Sequence, residues 1–277
     1  MPTEKILLRR IAHPTPKQNQ LLAALPAADY ESLLPQLELV RLPLGWSIYE
    51  SVSRQGYVYF PATSVVSLHY VIADTSSAQI AVVGNDGVVG IALIMGDESP
   101  RHAMVQSAGY GFRLNASLLK KHADRGVPLQ QLLLRYSQAL ITQMAQSAAC
   151  RRHHDVDKQL CRWLLLSLDR VPSSELTMTH ELFASMPVLR RESVSAAAGK
   201  LQAAGLIHYS RGKITVLDRA KLEARVCECY AVVKREYDRL LPGKDAITHR
   251  LLHGTAMYFY TILQCPFMCL HTRVSWQ

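Results

Sequence analysis

Cysteine is absent from the first 149 residues of the chain. Iron–sulfur clusters are held by several suitably spaced cysteine thiolates, so this absence excludes a cluster of that kind from the amino-terminal half. The six cysteines that do occur are scattered rather than arranged as a disulfide framework: Cys150, Cys161, Cys227, Cys229, Cys265 and Cys269. This usage fits a reducing compartment, and we expect a cytoplasmic protein.

Long apolar runs and the short motifs of common enzymes are also missing. No run of about 18 apolar residues occurs, so a transmembrane helix is not expected. Residues 1–20 lack the apolar core of a secretion signal and contain Pro14 and Pro16, so secretion is not expected either. Because no Walker phosphate loop, G-x-S-x-G elbow or H-E-x-x-H motif occurs, we predict no catalytic residue and no enzyme activity.

Acidic residues are fewer than basic ones. The chain has 31 lysines and arginines against 22 aspartates and glutamates, a formal net charge of +9. This balance favours a polyanionic partner, either nucleic acid or an anionic membrane surface. With 277 residues, 49% of them hydrophobic, the chain can form two domains with their own cores.

Short apolar runs separated by turn residues fill residues 20–115. Such spacing predicts an antiparallel sandwich or barrel, and Leu21–Leu34 predicts a short helical lead-in. Examples of the runs are Val58–Phe60, Val65–Val71, Gln79–Val83, Val88–Met95 and Ala103–Ser107, and the breaks include Gly45, Gly56, Gly84–Gly87 and Gly96.

Residues 176–217 carry more functional information than the rest of the chain. Thr179 is a suitable N-cap, and Pro187 stops the short helix that it begins. A second helix is predicted from about Arg191, because apolar residues recur at i, i+4 and i+7 as Val194, Ala198 and Leu201.

A small hairpin is predicted after this helix. Gly205 suits the left-handed cap position, and Leu206–Tyr209 and Lys213–Leu217 alternate as two short strands. Helix, turn, helix and hairpin make a winged helix-turn-helix, whose second helix enters the major groove of DNA.

The charges of this segment agree with DNA binding rather than membrane binding. Arg190, Arg191 and Glu192 open the second helix, where such helices reach base edges. Arginine reads guanine and glutamate can accept from the cytosine amine, whereas a bare glutamate would repel phosphate. The alternative is a solvated, charged start of an ordinary surface helix. Residues 187–219 carry a net charge of +4, from Arg190, Arg191, Lys200, Arg211, Lys213 and Arg219 against Glu192 and Asp218.

A long amphipathic helix is predicted between the two regions, from about Leu129 through Ala149. Its apolar stripe repeats every four residues as Leu132, Tyr136, Leu140 and Met144. The stripe can pack against the helix's own β domain or form a seam between two copies. We favour the seam, because helix-turn-helix proteins commonly bind twofold sites as dimers.

The segment from Cys150 to Asp155 is predicted to be a charged hinge before a helix that ends ahead of Pro172. His153 and His154 resemble metal ligands, but adjacent side chains diverge on a helix, so a solvated hinge is favoured. Cys227 and Cys229 are predicted to lie in a helix and point apart, and this pair alone is too small a zinc ligand set.

The tail from Gly243 to Gln277 is rich in aromatic residues. We interpret it as an apolar extension that covers the body of the protein or a partner subunit. Its candidate ligands His249, His253, Cys265 and Cys269 fit no zinc spacing, and no metal or cofactor is predicted anywhere in the chain.

A β-roll, a long helix and a winged helix, in that order, resemble the Crp/Fnr family of bacterial transcription regulators over residues 20–225. Arg191–Ser195, read as R-E-S-V-S, is similar to the family's R-E-T-V recognition pattern, and Lys200–Ile207 matches the exit of the helix into the wing.

The resemblance implies an α+β homodimer with an N-terminal β-roll, a jelly roll of the cyclic-nucleotide-binding type, a long dimerisation helix and a C-terminal winged helix-turn-helix. It implies that Arg191 and Glu192 read bases and that Ser193 contacts a phosphate. The full set of candidate DNA-binding residues is Arg190, Arg191, Glu192, Ser193, Ser195, Lys200, Arg211 and Lys213.

The predicted domains are a sensor at 20–128, the dimerisation helix at 129–150, the DNA-binding domain at 151–225 and a tail at 226–277. Two departures from the family pattern concern the DNA-binding domain. Pro187–Leu189 stands where the turn usually has a glycine, and Ala196 replaces a third base-reading residue. The target sequence therefore does not carry over.

The sensor domain lacks half of the family's cyclic-nucleotide cassette. Ile91 stands in the place of the ribose-binding carboxylate and cannot accept a hydroxyl hydrogen bond. Arg101 could hold a ligand phosphate, but His102 replaces the hydroxyl beside it, and an exposed loop charge is favoured. We expect no binding of cyclic AMP. Haem on His69 or His102 is not favoured either. The sequence therefore assigns no signal, and a constitutive regulator that senses nothing is also open.

The sequence is compatible with two functions. The first is a sequence-specific, homodimeric transcription regulator that binds an inverted repeat of double-stranded DNA, with RNA polymerase as a further candidate partner. The second is a ligand-binding regulatory module that controls a partner protein through the winged helix.

Overall fold

The computed structural model describes residues 14–48, 56–73, 76–96, 101–171, 173–177, 191–210 and 212–241, and the structural statements that follow refer to them. Several predictions lie outside the described residues. They concern the short helix between Thr179 and Pro187, the side chains of Arg190 and Arg211, and the tail from Gly243 to Gln277.

The helical lead-in is present as two short helices, α1 (Gln20–Ala23) and α2 (Ala27–Leu33), separated at Pro26. Asn19 anchors α1 to the body of the protein. Its side-chain oxygen accepts from the backbone N–H groups of Leu21 and Leu22, and its amide donates to the carbonyls of Pro61 and Gly87.

Two three-stranded antiparallel sheets form the amino-terminal β-roll. The first has the strand order β1-β6-β2 and the second β4-β3-β5. The strands are β1 (Glu38–Leu42), β2 (Tyr57–Pro61), β3 (Val65–Ala73), β4 (Ser76–Val83), β5 (Arg101–Ser107) and β6 (Gly109–Asn115).

Four of the five predicted apolar runs are strands or parts of strands. The fifth, Val88–Met95, is wrong as a strand, because Ile91–Ile94 forms the short helix α3. Strands β1 and β6 were not predicted. They pair with each other from Glu38 opposite Arg113 to Leu42 opposite Gly109.

Two consecutive helices connect the β-roll to the carboxy-terminal part. Helix α4 (Ala116–Arg125) leads into α5 (Val127–His153), which is the predicted long helix. Helix α6 (Val156–Leu168) follows, and the Asp155 carboxylate caps it by accepting from the backbone N–H of Lys158.

The prediction that the apolar stripe of α5 forms a dimer seam is wrong, because this stripe faces the interior of the single chain. Leu132, Tyr136 and Leu140 are at most 5% exposed within the single chain, and Met144 packs against the same core. The Tyr136 hydroxyl donates to the Val88 carbonyl at 2.9 Å, so this stripe attaches α5 to its own β-roll.

The carboxy-terminal part is a three-stranded sheet with helices on it, in the strand order β7-β9-β8. Its elements are β7 (Glu175–Thr177), α7 (Arg191–Ala203), β8 (Ile207–Ser210), β9 (Lys213–Val216), α8 (Arg219–Arg225) and α9 (Glu228–Leu240). Gly205 joins α7 to β8 with a φ of 69°, which confirms the predicted left-handed cap.

Helix α9 packs along α5 and returns the chain to the β-roll side of the molecule. Tyr230, Val233, Tyr237 and Leu240 form its buried face. None of the helices in the described part of the chain is both long and apolar enough to span a lipid bilayer.

Candidate nucleic-acid interface

Helix α7 has one buried face and one free face. Val194, Ala197, Ala198 and Leu201 are at most 1% exposed and pack α7 against α6 and the wing. On the opposite side, exposed residues follow one another at spacings of four, three and four as Glu192, Ala196, Gly199 and Ala203. This line is the centre of the free face.

Side chains project only a short distance from the free face of α7, because three of these four residues are small. A Cβ atom added at Gly199 would meet no atom within 4 Å, so the space beside the helix is open. A helix with small side chains on its outer face can bring its backbone close to a partner. The major groove of B-DNA admits one α-helix, so this shape suits the groove.

The structure places the predicted reading residues around this face. Arg191 is the first residue of α7, and the described part of the chain includes its backbone but not its side chain. Glu192 and Ser195 are exposed, whereas Ser193 is half-buried. These positions lie in the first turns of the helix, where helix-turn-helix proteins contact base edges.

The wing is a tight hairpin whose base is fixed to α7. Ser210 pairs with Lys213 next to the turn, and Ile214 is fully buried beneath the hairpin. The backbone N–H of Tyr209 donates to the Gln202 side chain at 2.7 Å. The two strands of the hairpin are therefore held beside the carboxy-terminal end of α7.

Among the described residues, three of the basic side chains counted in the sequence make ion pairs within the protein: Lys200, Lys213 and Arg219. The Lys200 ammonium lies 3.2 Å from Asp157 of α6, and the Lys213 ammonium lies 2.8 Å from Glu175 of β7. Both lysines are at least 60% exposed. Exposed pairs contribute little free energy, so a DNA phosphate can replace the carboxylate partner.

Arg219 makes more contacts within the protein than Lys200 or Lys213 does. Its guanidinium contacts Asp169, donates to Glu223 at 2.8 Å and donates to the Tyr230 hydroxyl at 3.0 Å. These contacts join α8, α9 and the end of α6, so Arg219 has a structural role.

The candidate ligand residues of the β-roll are placed as follows. Arg101 belongs to strand β5, where its backbone pairs with Tyr70, so the predicted loop position is wrong. Ile91 is 9% exposed in α3, and its apolar side chain belongs to the core.

The two histidines of the β-roll are not isolated. His69 bonds Ser67 and His102 bonds Ser47, each at 2.8 Å, and the two rings meet edge to face at 6.0 Å. Burial and the nearby His102 lower the pKa of His69 to about 4, so this ring is neutral near pH 7.

A cluster of thiols, absent from the sequence predictions, lies where α5, α6 and α9 meet. The ligand atoms of Cys150, His154, Cys227 and Cys229 all lie within 4.8 Å of one another. The predicted divergence of Cys227 and Cys229 is wrong, because Cys227 is the extended N-cap residue of α9 rather than a helical one. A hydrogen bond from the Cys150 thiol lowers the pKa of Cys227.

The carboxy-terminal part of the chain is similar to a known domain family. Residues 158–225 match the Crp-like helix-turn-helix domain, a span that runs from α6 to α8. No curated protein is significantly similar to the chain in sequence.

The fold is shared with solved regulators. FixK2 from Bradyrhizobium japonicum is 17% identical with a TM-score of 0.57, over 69% of this chain and 98% of that one. A Crp/Fnr-family regulator from Eubacterium rectale is 17% identical with a TM-score of 0.55, over 72% and 94%. The c-di-GMP-responsive regulator CLP from Xanthomonas campestris is 17% identical with a TM-score of 0.53, over 70% and 100%. The chain therefore contains a Crp-like helix-turn-helix domain within the overall fold of the Crp/Fnr transcription regulators.

Proposed function

We propose that the protein is a sequence-specific DNA-binding transcription regulator without catalytic activity. The observation that carries the proposal is the free face of α7. It is exposed, begins at Glu192 in the first turn of the helix and is lined by Ala196, Gly199 and Ala203. Arg191 and Glu192 read bases in this proposal, and Ser193, Ser195 and the basic residues hold phosphates.

Lys200 lies on α7 and Lys213 lies on β9 of the wing. In this proposal both lysines, together with Arg211, contact DNA phosphates. Both lysines are exposed, and among the described residues Lys200 pairs with the half-buried Asp157 and Lys213 with the exposed Glu175. Their exchange of a carboxylate for a phosphate releases counterions from DNA and makes the affinity salt-dependent.

The protein acts as a homodimer in this proposal, through a face of α5 other than the predicted stripe. Val127, Leu134 and Ile141 are between 58% and 62% exposed and lie seven residues apart. A heptad row of exposed apolar residues is the pattern of a two-helix seam. Gln131 and Gln138 between these residues, and Ala145 and Ala148 after them, are also exposed.

A parallel pair of α5 helices would place two copies of α7 around a twofold axis. The preferred DNA is then an inverted repeat whose half-sites lie about 34–36 Å apart. We also propose domain borders at residues 128, 150 and 225. In this division α9 belongs to the folded body of the molecule and not to a separate tail. In this proposal RNA polymerase is a partner of the DNA-bound dimer. The protein acts in the cytoplasm.

The β-roll does not bind cyclic AMP in this proposal. The apolar Ile91 side chain, 9% exposed, offers no acceptor for a ribose hydroxyl. Isothermal titration of the full-length protein with cyclic AMP tests this point, and heat of binding at micromolar nucleotide would contradict it.

The test of the main proposal is DNA selection followed by a salt titration. Selection from a random duplex pool should return an inverted repeat. Affinity for that repeat should fall linearly on a log–log plot as salt rises, because phosphate contacts release counterions. A flat salt dependence, or no binding at low salt, would support the alternative of a regulatory module that contacts a partner protein.

A further inference from the structure

We propose that Cys150, His154, Cys227 and Cys229 form a closed, four-ligand site for a thiophilic divalent metal ion, with Zn²⁺ as its occupant. The four residues come from two places in the chain that are far apart in sequence. Cys150 and His154 lie at the end of α5, and Cys227 and Cys229 lie at the start of α9.

The distances between ligand atoms fit one ion. The Sγ atoms of Cys150 and Cys227 are 3.6 Å apart, and Cys229 Sγ lies 3.6 Å from His154 Nδ1. In a tetrahedral site with Zn–S bonds of about 2.3 Å and Zn–N bonds of about 2.0 Å, neighbouring ligand atoms lie roughly 3.5–3.8 Å apart. Three thiolates and one imidazole are a known zinc ligand set.

The histidine is oriented as a metal ligand. Its Nδ1 faces the sulfur atoms, and its Nε2 lies 3.3 Å from the Glu228 carboxylate. A carboxylate on the second ring nitrogen fixes the tautomer that leaves the first nitrogen free to bind a metal. Glu228 stands between the two cysteines in sequence, so one short segment supplies two sulfur ligands and this partner.

The surroundings suit a buried site with a net negative charge. All three cysteines are at most 3% exposed, which excludes solvent from the coordination sphere. Zn²⁺ with three thiolates carries a charge of −1. Arg162 of α6 interacts electrostatically with Cys150 and Cys229, and its buried Nε and Nη1 groups have no hydrogen-bond partner within the described part of the chain. This guanidinium can offset the charge.

The position of the site indicates a structural role. The bound ion would join the end of α5 and the turn before α6 to the amino-terminal end of α9, through its N-cap residue Cys227 and through Cys229. Four protein ligands leave no open position for substrate, which is typical of structural rather than catalytic zinc. The site would therefore hold the carboxy-terminal helices in one arrangement on the long helix.

The test measures zinc content and affinity in the full-length chain. Cys265→Ser and Cys269→Ser form the common background, because the tail could contribute thiols of its own. Protein from this background, purified under reducing conditions, should hold one Zn²⁺ per chain by mass spectrometry of the metal. Replacement by Co²⁺ should give the visible absorption of a tetrahedral thiolate site.

Cys227→Ser and His154→Ala should each lower zinc affinity by at least about tenfold, because a closed site loses one of its four bonds. Cys161→Ser is the matched control, since Cys161 is buried nearby but outside the cluster and its variant should keep the full zinc content. Glu228→Gln keeps every ligand and should weaken zinc binding by about tenfold without loss of helix content by circular dichroism.

Three results would overturn the proposal. They are a zinc-free protein after growth and purification with added Zn²⁺, an equal loss of zinc in the Cys161→Ser and Cys227→Ser variants, or a Cys150–Cys227 disulfide in protein prepared without oxygen. The Glu228→Gln variant covers the case in which a ligand variant fails to fold, because unchanged zinc affinity in that folded protein also counts against the site.

Discussion

Arg170 and Asp86 form a buried ion pair with a nitrogen–oxygen distance of 2.7 Å, and it joins the end of α6 to a turn of the β-roll. The side chains are 3% and 15% exposed. Arg170 also donates to the Leu166 carbonyl and to Gln143 of α5. One guanidinium thus fixes the end of α6 against both the β-roll and α5.

Breaking this pair should destabilise the whole protein. Asp86→Asn leaves a buried guanidinium without its counter-charge, and we expect a loss of about 3 kcal/mol in the free energy of unfolding. Urea denaturation measures it, and Glu38→Gln is the control. Glu38 pairs with Arg113 at the same distance of 2.7 Å but is 55% exposed, so its loss should stay below about 1 kcal/mol. Equal effects at the two sites would contradict a special role for Arg170.

Stability should depend on pH through His69. Burial lowers the pKa of His69 in the folded state from 6.5 to about 4, so the unfolded chain takes up the proton first as pH falls. The free energy of unfolding should therefore decrease from pH 6.5 down to pH 4, by roughly 3 kcal/mol from this residue.

Urea denaturation of His69→Gln at pH 7, 5 and 4 checks this expectation. The variant should be less stable at pH 7 but should lose less stability on acidification. His208→Gln, altered at an exposed histidine, controls for the change in charge. A His69→Gln profile parallel to that of the unaltered protein would assign the acid sensitivity to other groups.

The sequence predicted the elements that depend on local signals. Helix α7 and the wing follow from the spacing of Val194, Ala198 and Leu201 and from Gly205, all within one short segment. The run Val88–Met95 was misassigned because a short apolar run has no period that separates a strand from a buried helix. Strand β6 was not predicted because Gly109 and Gly111 interrupt its apolar alternation.

The features that require long-range contact were beyond sequence reasoning. Helix α5 carries two apolar rows, and only the contact between Tyr136 and Val88 shows that the row of Tyr136 is the inner one. Cys150 and Cys227 are 77 residues apart, and each half of the thiol cluster is by itself an ordinary pair. Gly84 looks like a turn residue, but a Cβ atom there would collide with Arg170.

Base reading should depend on Arg191. Arg191→Ala should weaken binding to the selected repeat by roughly 1–3 kcal/mol and relax the preference at one base position in each half-site. Arg211→Ala in the wing should instead lower affinity evenly for all sequences and reduce the salt slope by about one unit. Binding titrations on selected and random duplexes compare the two, and equal loss for Arg191→Ala on both would assign it to phosphate.

The free face of α7 should tolerate small side chains only. Gly199→Leu faces open space in the protein, so we expect an intact fold but at least about tenfold weaker binding to the selected repeat, because the added bulk holds the helix away from the groove. Gly199→Ala is the matched control and should keep its affinity while stabilising the helix by up to about 1 kcal/mol. Unchanged affinity in Gly199→Leu would show that another face of the domain contacts DNA.

Assembly should depend on the exposed row of α5 rather than on the buried one. Ile141→Glu places a charge at a position that is 58% exposed in the single chain, so each subunit should stay folded while the dimer separates. Leu140→Glu, one residue away but 5% exposed, should unfold the protein instead, because it buries the charge in the core.

Sedimentation and circular dichroism distinguish these outcomes. The Ile141→Glu monomer should also bind the inverted repeat more weakly than the dimer, since the second reading helix then loses its high effective concentration. A protein that is monomeric without any substitution, or an Ile141→Glu variant still dimeric at micromolar concentration, would remove α5 from the interface and leave the inverted repeat without structural support.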